Sequence, residues 1–399
     1  MTNTRDSASV SSIHSLLENH VLPLFKNRPL SLLRAATLSA LSLSMHSASA
    51  ATDVAAIEAN KIVAIRQNTQ MPWNAVAVDA RGRFVVSAPL WTGNTGPAVA
   101  IVHENGSLTP YPDAGWNSWK VGEDATRAFV SVNAIHADAN GDWWIVDTGS
   151  PEFGGTPIAG GAKIVRIDPR TDTVVRVYPF SKDVLRDHTY LDDIRINGHH
   201  AYITDAGEGS VLVLNLDDGK VRRRFDGMSF ARARTHDTIV VNGKVLTGRD
   251  NRPLKVNADP LELSPDGRTF YFGPLSGPLS QIETRYLDDE ALDDNALARR
   301  VSTWFDIPPV GGTAMGADGS LYFTPLADNS LMRRAPDGTV STLVRDQRLR
   351  WVDAPYLDGK GNIYLPVPQI DGAPPFNHGQ STIHFPVQVF KLTLPSDLK

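Results

Sequence analysis

Six polar side chains open the same kind of segment in this sequence: Asn74, Asn133, Asp192, Asp259, Thr313 and Asp353. Each is followed by alternating apolar residues. If those segments are equivalent strands of one closed structure, the six side chains converge. Three carboxylates, two amides and a hydroxyl facing one point repel one another unless something neutralises them. Ca²⁺, or another hard divalent cation, accepts such oxygen donors in a flexible shell, which makes Asn133, Asp192, Asp259 and Asp353 candidate metal ligands. The plainer alternative is that each residue caps a strand start and faces water.

Other residues with chemical potential are isolated. Asp147-Thr148-Gly149 matches the local signature of an aspartic protease, but no second copy supplies the partner carboxylate which that chemistry needs. Asp205-Ala206-Gly207 ends the corresponding strand of the next segment, so both triplets read as loop-shaping strand ends. His136, His188 and His236 are single histidines, each a candidate base and each equally a hydrogen-bonded structural residue. Trp73, Trp116, Trp119, Tyr190 and Trp351 flank the ring or its loops; Tyr190 and Trp351 are candidates to wall a pocket for a planar ligand. The chain has no Cys, no nucleotide-binding glycine loop and no Gly-x-Ser-x-Gly elbow, which excludes thiol chemistry and those hydrolase and nucleotide classes.

The elements that must position the six residues are legible as a repeat. Each segment is an alternating strand, a turn rich in Asp, Asn and Gly, and a strand rich in aromatic residues. Examples are Val132 to Asp138, the turn at Gly141, and Trp143 to Asp147. Period-two alternation and positive-φ turn residues indicate β-hairpins with half-buried strands. The six openings recur at intervals of about 40 to 67 residues, close to the blade period of a propeller. The reading is an all-β, six-bladed β-propeller over residues 51–399. Insertions fall between hairpins, one short helix is expected within Glu290–Arg299, and Lys61–Ile65 should pair with Val387–Leu392 to close the ring.

Residues 1–50 differ. Lys26, Arg28 and Arg34 precede the apolar run Ala35–Met45, followed by Ala48-Ser49-Ala50, which reads as a secretory signal peptide with an N-terminal extension. The run is too short to span a bilayer. Location is expected to be secreted or periplasmic, consistent with the absence of Cys. A net charge of −5 without a Lys/Arg cluster argues against nucleic acid and anionic membrane surfaces as partners and leaves a small molecule.

Several stretches resemble the Yellow/major royal jelly protein family: Trp143–Gly149, Lys163–Pro169 leading through Val177–Phe180 into Tyr190–Ile194, Ala201–Asp205 and Phe270–Ser276. The resemblance runs from about Met71 to the C-terminus. It implies a secreted six-bladed propeller that converts dopachrome-like metabolites or binds biogenic amines at the tunnel mouth. Asp192 stands where that family more often has Asn, and the family's cysteines are missing. More distantly, the chain is similar to gluconolactonase/senescence-marker propellers. That likeness implies a divalent metal on Asn133, Asp192 and Asp259, with Asp259 as base, and so makes Asp259 and Asp192 the candidate catalytic residues. Asn74 departs from it, since a Glu ligand stands there in that family, although Asp353 could supply the missing carboxylate. Three functions follow: an aromatic- or amine-binding, tautomerising protein; a Ca²⁺-dependent lactone hydrolase; or a non-catalytic binding scaffold.

Overall fold

Alternating strands joined by Asp- and Gly-containing turns build six antiparallel sheets of four strands each. A computed structural model describes residues 56–398; the expected signal peptide over 1–50 lies outside the described residues. From the inner strand outward, blade one is Ala75–Val78, Phe84–Ser87, Val99–Val102 and Leu108–Pro110. Blade two is Val132–Ala137, Trp143–Asp147, Lys163–Asp168 and Thr173–Pro179. Blade three is Leu191–Asn197, His200–Asp205, Ser210–Asn215 and Val221–Arg224. Blade four is Ala258–Leu263, Thr269–Pro274, Leu279–Glu283 and Ser302–Phe305, and blade five is Val310–Met315, Leu321–Pro325, Ser330–Arg334 and Val340–Arg345.

Blade six is composite. Its inner three strands, Tyr356–Leu357, Asn362–Val367 and Val387–Thr393, come from the C-terminal part, and its outer strand, Val63–Asn68, comes from the N-terminal part. Val63 pairs with Lys391 and Asn68 with Val387, so the closure expected from the sequence is present, starting two residues later than Lys61. Such pairing covers an edge that would otherwise offer unpaired backbone groups to another chain.

The turns follow from local chemistry. Asp138 accepts hydrogen bonds from the backbone N–H of Asn140 and Asp142, and Gly141 takes φ 82°, a conformation open to Gly at little cost. Asp79 and Asp358 hold their turns in the same way. These carboxylates are structural, unlike those that open the inner strands.

The strands are more buried than half-buried alternation suggests. On Trp143–Asp147, Trp143 and Ile145 pack toward blade one, while Trp144 and Val146 pack toward blade three. Successive side chains enter opposite faces, and in a radial array both faces of a middle strand are interior. The short helix expected within Glu290–Arg299 is present. It is Asp294–Ala298, and the Asp293 side chain, which accepts from Ala296 N–H, sets its start; a second short helix, Thr284–Asp288, precedes it.

Both Asp-x-Gly strand ends are structural. Asp147 is fully buried, accepts from the backbone of Val130, Ser131 and Gly149, and pairs with the equally buried Lys163 at 2.8 Å. Asp205 does the same with Tyr190, Gly207, Glu208 and Arg223.

Candidate ligand-binding site

The inner strands enter the ring through a shared irregularity. Pairing skips a residue in blade two between Val132 and Ala134, and two residues in blade three between Leu191 and Ile194. The same double skip occurs in blade four between Ala258 and Leu261, and in blade five between Val310 and Thr313. Asn133, Asp192 and Asp259 therefore sit on β-bulges, which break the ladder and re-aim side chains. Pro260 inside a strand was a sequence signal for this, since Pro cannot donate to a central ladder.

This register corrects one assignment. The place equivalent to Asp192 and Asp259 in blade five is Gly311, and Thr313 lies two residues further along, its hydroxyl donating to Glu262 at 2.9 Å. A Cβ on Gly311 would lie 2.1 Å from the Val352 carbonyl oxygen, and one on Gly312 would lie 2.9 Å from Ala354 N. The two glycines let the backbone beside Asp353 come close; Thr313 misled because it is the first polar side chain after them.

Asn74, Asn133, Asp192, Asp259, Thr313 and Asp353 all border one cavity of about 400 Å³. Its upper wall is apolar and comes from loops: Trp91, Phe153, Tyr190, Leu254, Trp351 and Phe376. Phe153 lies 4.9 Å from the Trp91 ring and 5.1 Å from Phe376, both edge-on, and 6.1 Å from Tyr190. Of the aromatic residues named from sequence, Tyr190 and Trp351 are on the wall. Trp73 and Trp116 instead pack in blade cores, and Trp119 bonds the Glu123 carbonyl in a loop. Trp91, Phe153 and Phe376 were not legible as wall residues, because they lie on loops distant in sequence. His188 borders the cavity and bonds the Gly154 carbonyl, His136 lies along an inner strand of the tunnel, and the exposed His236 is elsewhere, beside Asp237.

The electrostatics are one-sided. Burial, then the Asp259 and Asp193 charges, raise the Asp192 carboxyl well above the ordinary carboxylate range, against the Asn133 amide that favours its ionised form. Burial and Asp353 do the same to Asp259. Burial pushes Asp353 up to about 7, although Ala354 N–H and the Trp351 indole both donate to it. Among the described residues no basic side chain pairs with these three. Arg195 is engaged with Asp193 at 2.7 Å and Glu262 at 3.0 Å, and the rim residue Lys255 donates to the Asp237 carbonyl. His136, beside Arg195, is pushed well below its ordinary value by burial and so is neutral at neutral pH.

The donor types suit Ca²⁺, but Asn133 Oδ1 already accepts from Tyr190 and Asn74. Among the described residues no three acidic or His side chains are grouped to hold a metal ion. What the arrangement offers a ligand is an acidic floor beneath an aromatic wall.

A six-bladed propeller with a carboxylate-floored, aromatic-walled cavity at its inner-strand starts is the class these features define. The chain belongs to the major royal jelly protein family, whose family model matches residues 130–364. It is 24% identical over 250 residues to protein yellow of Drosophila erecta and to protein yellow of Drosophila melanogaster. Each alignment covers 58% of this chain and 46% of the relative, so the match spans under half of those proteins. Among solved structures it is similar to a gluconolactonase from Xanthomonas campestris, with TM-score 0.49 and 15% identity over 84% of this chain and 89% of that one.

Proposed function

We propose that the cavity binds a small aromatic amine, its ammonium group against Asp192, Asp259 and Asp353 and its ring against Tyr190, Trp351 and the neighbouring aromatic loops. The observation that carries this reading is three carboxylates without a cationic partner at the floor of an aromatic-walled cavity of about 400 Å³. That volume suits a small-molecule site. The resemblance to amine-binding and dopachrome-converting relatives points the same way. Tautomerisation is the chemistry that fits: a carboxyl titrating at about 7, as Asp353 does, can accept a proton from carbon and return one to oxygen near neutral pH, with no oxidant required.

Lactone hydrolysis with a divalent cation is the second reading, favoured by the donor types of Asn133, Asp192, Asp259 and Asp353. The engaged Asn133 oxygen weighs against it. Asp259→Asn separates the two. In the amine reading it keeps the cavity's shape and weakens amine binding by about 1–3 kcal/mol, the loss of one charge-assisted contact. In the lactonase reading it lowers kcat/KM by about 10²-fold or more. The measurement is calorimetric binding of tyramine and of catechol, and lactone hydrolysis, with and without chelator. Chelator-sensitive lactonase activity abolished by Asp259→Asn would overturn the amine reading, and binding without turnover of either substrate class would reduce the protein to a scaffold.

A further inference from the structure

The cavity floor holds a fourth carboxylate. Asp193 borders the cavity with Asp192, Asp259 and Asp353, and its negative charge adds to the upward push that burial gives all three. Two donors fix it: Ile194 N–H on Oδ1 and Arg195 Nη1 on Oδ2, each at 2.7 Å. The blade-three bulge explains how two successive residues reach one ring. Strand pairing skips Asp192 and Asp193 together, which frees them from the alternation that would send one of them to the opposite face. All four carboxylates are partly exposed, Asp193 by 18% of its side chain, so a ligand in the cavity meets them directly.

The nearest cation is out of a ligand's reach. Arg195 is not among the residues that border the cavity. Its Nη1 donates to Asp193 and to the Ile194 carbonyl, and its Nε and Nη2 donate to Glu262 at 3.1 and 3.0 Å. The side-chain donors around the floor are also engaged with protein acceptors. Asn133 Nδ2 is on Asp192, Trp351 Nε1 on Asp353, and the Thr313 hydroxyl on Glu262. Lys255 and His188 stand with the upper loops, Lys255 beside Leu254 and His188 on the Gly154 carbonyl, next to Phe153. What the floor turns toward a ligand is therefore carboxylate oxygen.

We propose that the site takes aromatic amines and rejects the parent α-amino acids, with Asp193 as a specificity-determining carboxylate. This rests on the reading that the cavity holds an aromatic amine with its ammonium on the floor. In an α-amino acid a carboxylate sits one carbon from the ammonium and is carried to the floor with it. There it meets like charges and no free donor, a juxtaposition that costs more in a partly dehydrated site than in water. A protonated Asp would be a donor to it, but the ammonium alongside favours the ionised forms. A decarboxylation must therefore supply the ligand: the bond from Cα to the carboxylate breaks, carbon dioxide leaves, and a proton takes its place on carbon, with no oxidant or reductant.

The test titrates tyramine, L-tyrosine and L-tyrosinol into the full-length protein by calorimetry at a pH where all three carry an ammonium group. L-Tyrosinol has a hydroxymethyl group where tyrosine has its carboxylate, so it matches the bulk without the charge. Tyrosinol should bind within about 5-fold of tyramine, and tyrosine at least about 30-fold more weakly than either. Asp193→Asn, checked for fold by circular dichroism, should weaken tyramine about 10-fold and narrow its advantage over tyrosine by a similar factor. Equal affinity for tyramine and tyrosine, or tighter binding of tyrosine, overturns this inference and leaves the amine reading standing. Tyrosinol as weak as tyrosine would mean exclusion by size and overturns it as well. Absence of binding by all three overturns both readings. Equal weakening of tyramine and tyrosine by Asp193→Asn would make Asp193 merely structural and remove it from the proposal. The ligand series on the unaltered protein decides even where that variant fails to fold.

Discussion

At the scale of single residues, the site stores unfavourable charge. Asp192, Asp259 and Asp353 are each held above the ordinary carboxylate range, chiefly by burial; neighbouring charges add to it, Asp259, Asp193 and Asp353 on Asp192, Asp353 and Asp193 on Asp259, and Asp193 on Asp353. A group whose folded value exceeds its unfolded value binds more protons when folded. Its contribution is complete below the unfolded value, near 4, and is lost as pH rises through the folded value. For Asp353 that window runs from about 4 to about 7. The ligand-free protein should lose stability across it, and Asp259→Asn, which removes one of the repelling charges, should raise Tm at pH 8 with the gain shrinking toward pH 5. Thermal denaturation at both pH values checks this; a variant less stable than wild type at pH 8 would contradict it. Amine affinity should rise over the same window, because deprotonation restores the charge that attracts the ammonium. A different acid is stabilised by its partner. Lys163→Met leaves Asp147 buried without its cation and should cost about 3–5 kcal/mol, read from chemical denaturation.

At the scale of elements, the bulge at the head of the inner strands matters most. Period-two alternation was visible in the sequence, and so were the turn residues that join each hairpin. The bulges were not, apart from the one that Pro260 marks, because alternation continues on either side of one or two unpaired residues. Thr313 shows the consequence: it is the first polar side chain of its strand, whereas pairing assigns the place equivalent to Asp192 and Asp259 to Gly311. The cost of a side chain there is testable. Gly311→Ala forces a Cβ against the Val352 carbonyl, so it should destabilise the protein by about 1–3 kcal/mol and weaken amine binding by shifting Asp353, to which that backbone leads. Unchanged Tm and affinity would show that the adjoining backbone of the two blades can part freely.

At the scale of the whole molecule, closure depends on Val63–Asn68 pairing with Val387–Thr393. A variant lacking residues up to Asn68 should expose the Val387–Thr393 edge, lower Tm and aggregate on warming, as followed by light scattering. Export is a further expectation: cleavage after Ala50 would start the mature chain at Ala51, and N-terminal sequencing of exported protein would refute it by finding Met1 intact. No helix among the described residues is long and apolar enough to cross a membrane.

The sequence by itself determined the blade count, the hairpins, the closing strand pair and the candidate carboxylates Asp192, Asp259 and Asp353. Each of these is written in local periodicity, turn chemistry or a repeat, which act over a few residues and do not need the fold to be known. Only the tertiary structure decided which aromatics wall the cavity, that Arg195 is engaged with Asp193 and Glu262 rather than with the three site carboxylates, and that the Tyr190 hydroxyl joins Trp91 to Asn133. Those facts rest on contacts between blades and loops far apart in sequence. A hydrogen bond from Trp91 to Tyr190 spans 99 residues, and no local pattern encodes which distant groups a closed ring brings within 3 Å of each other.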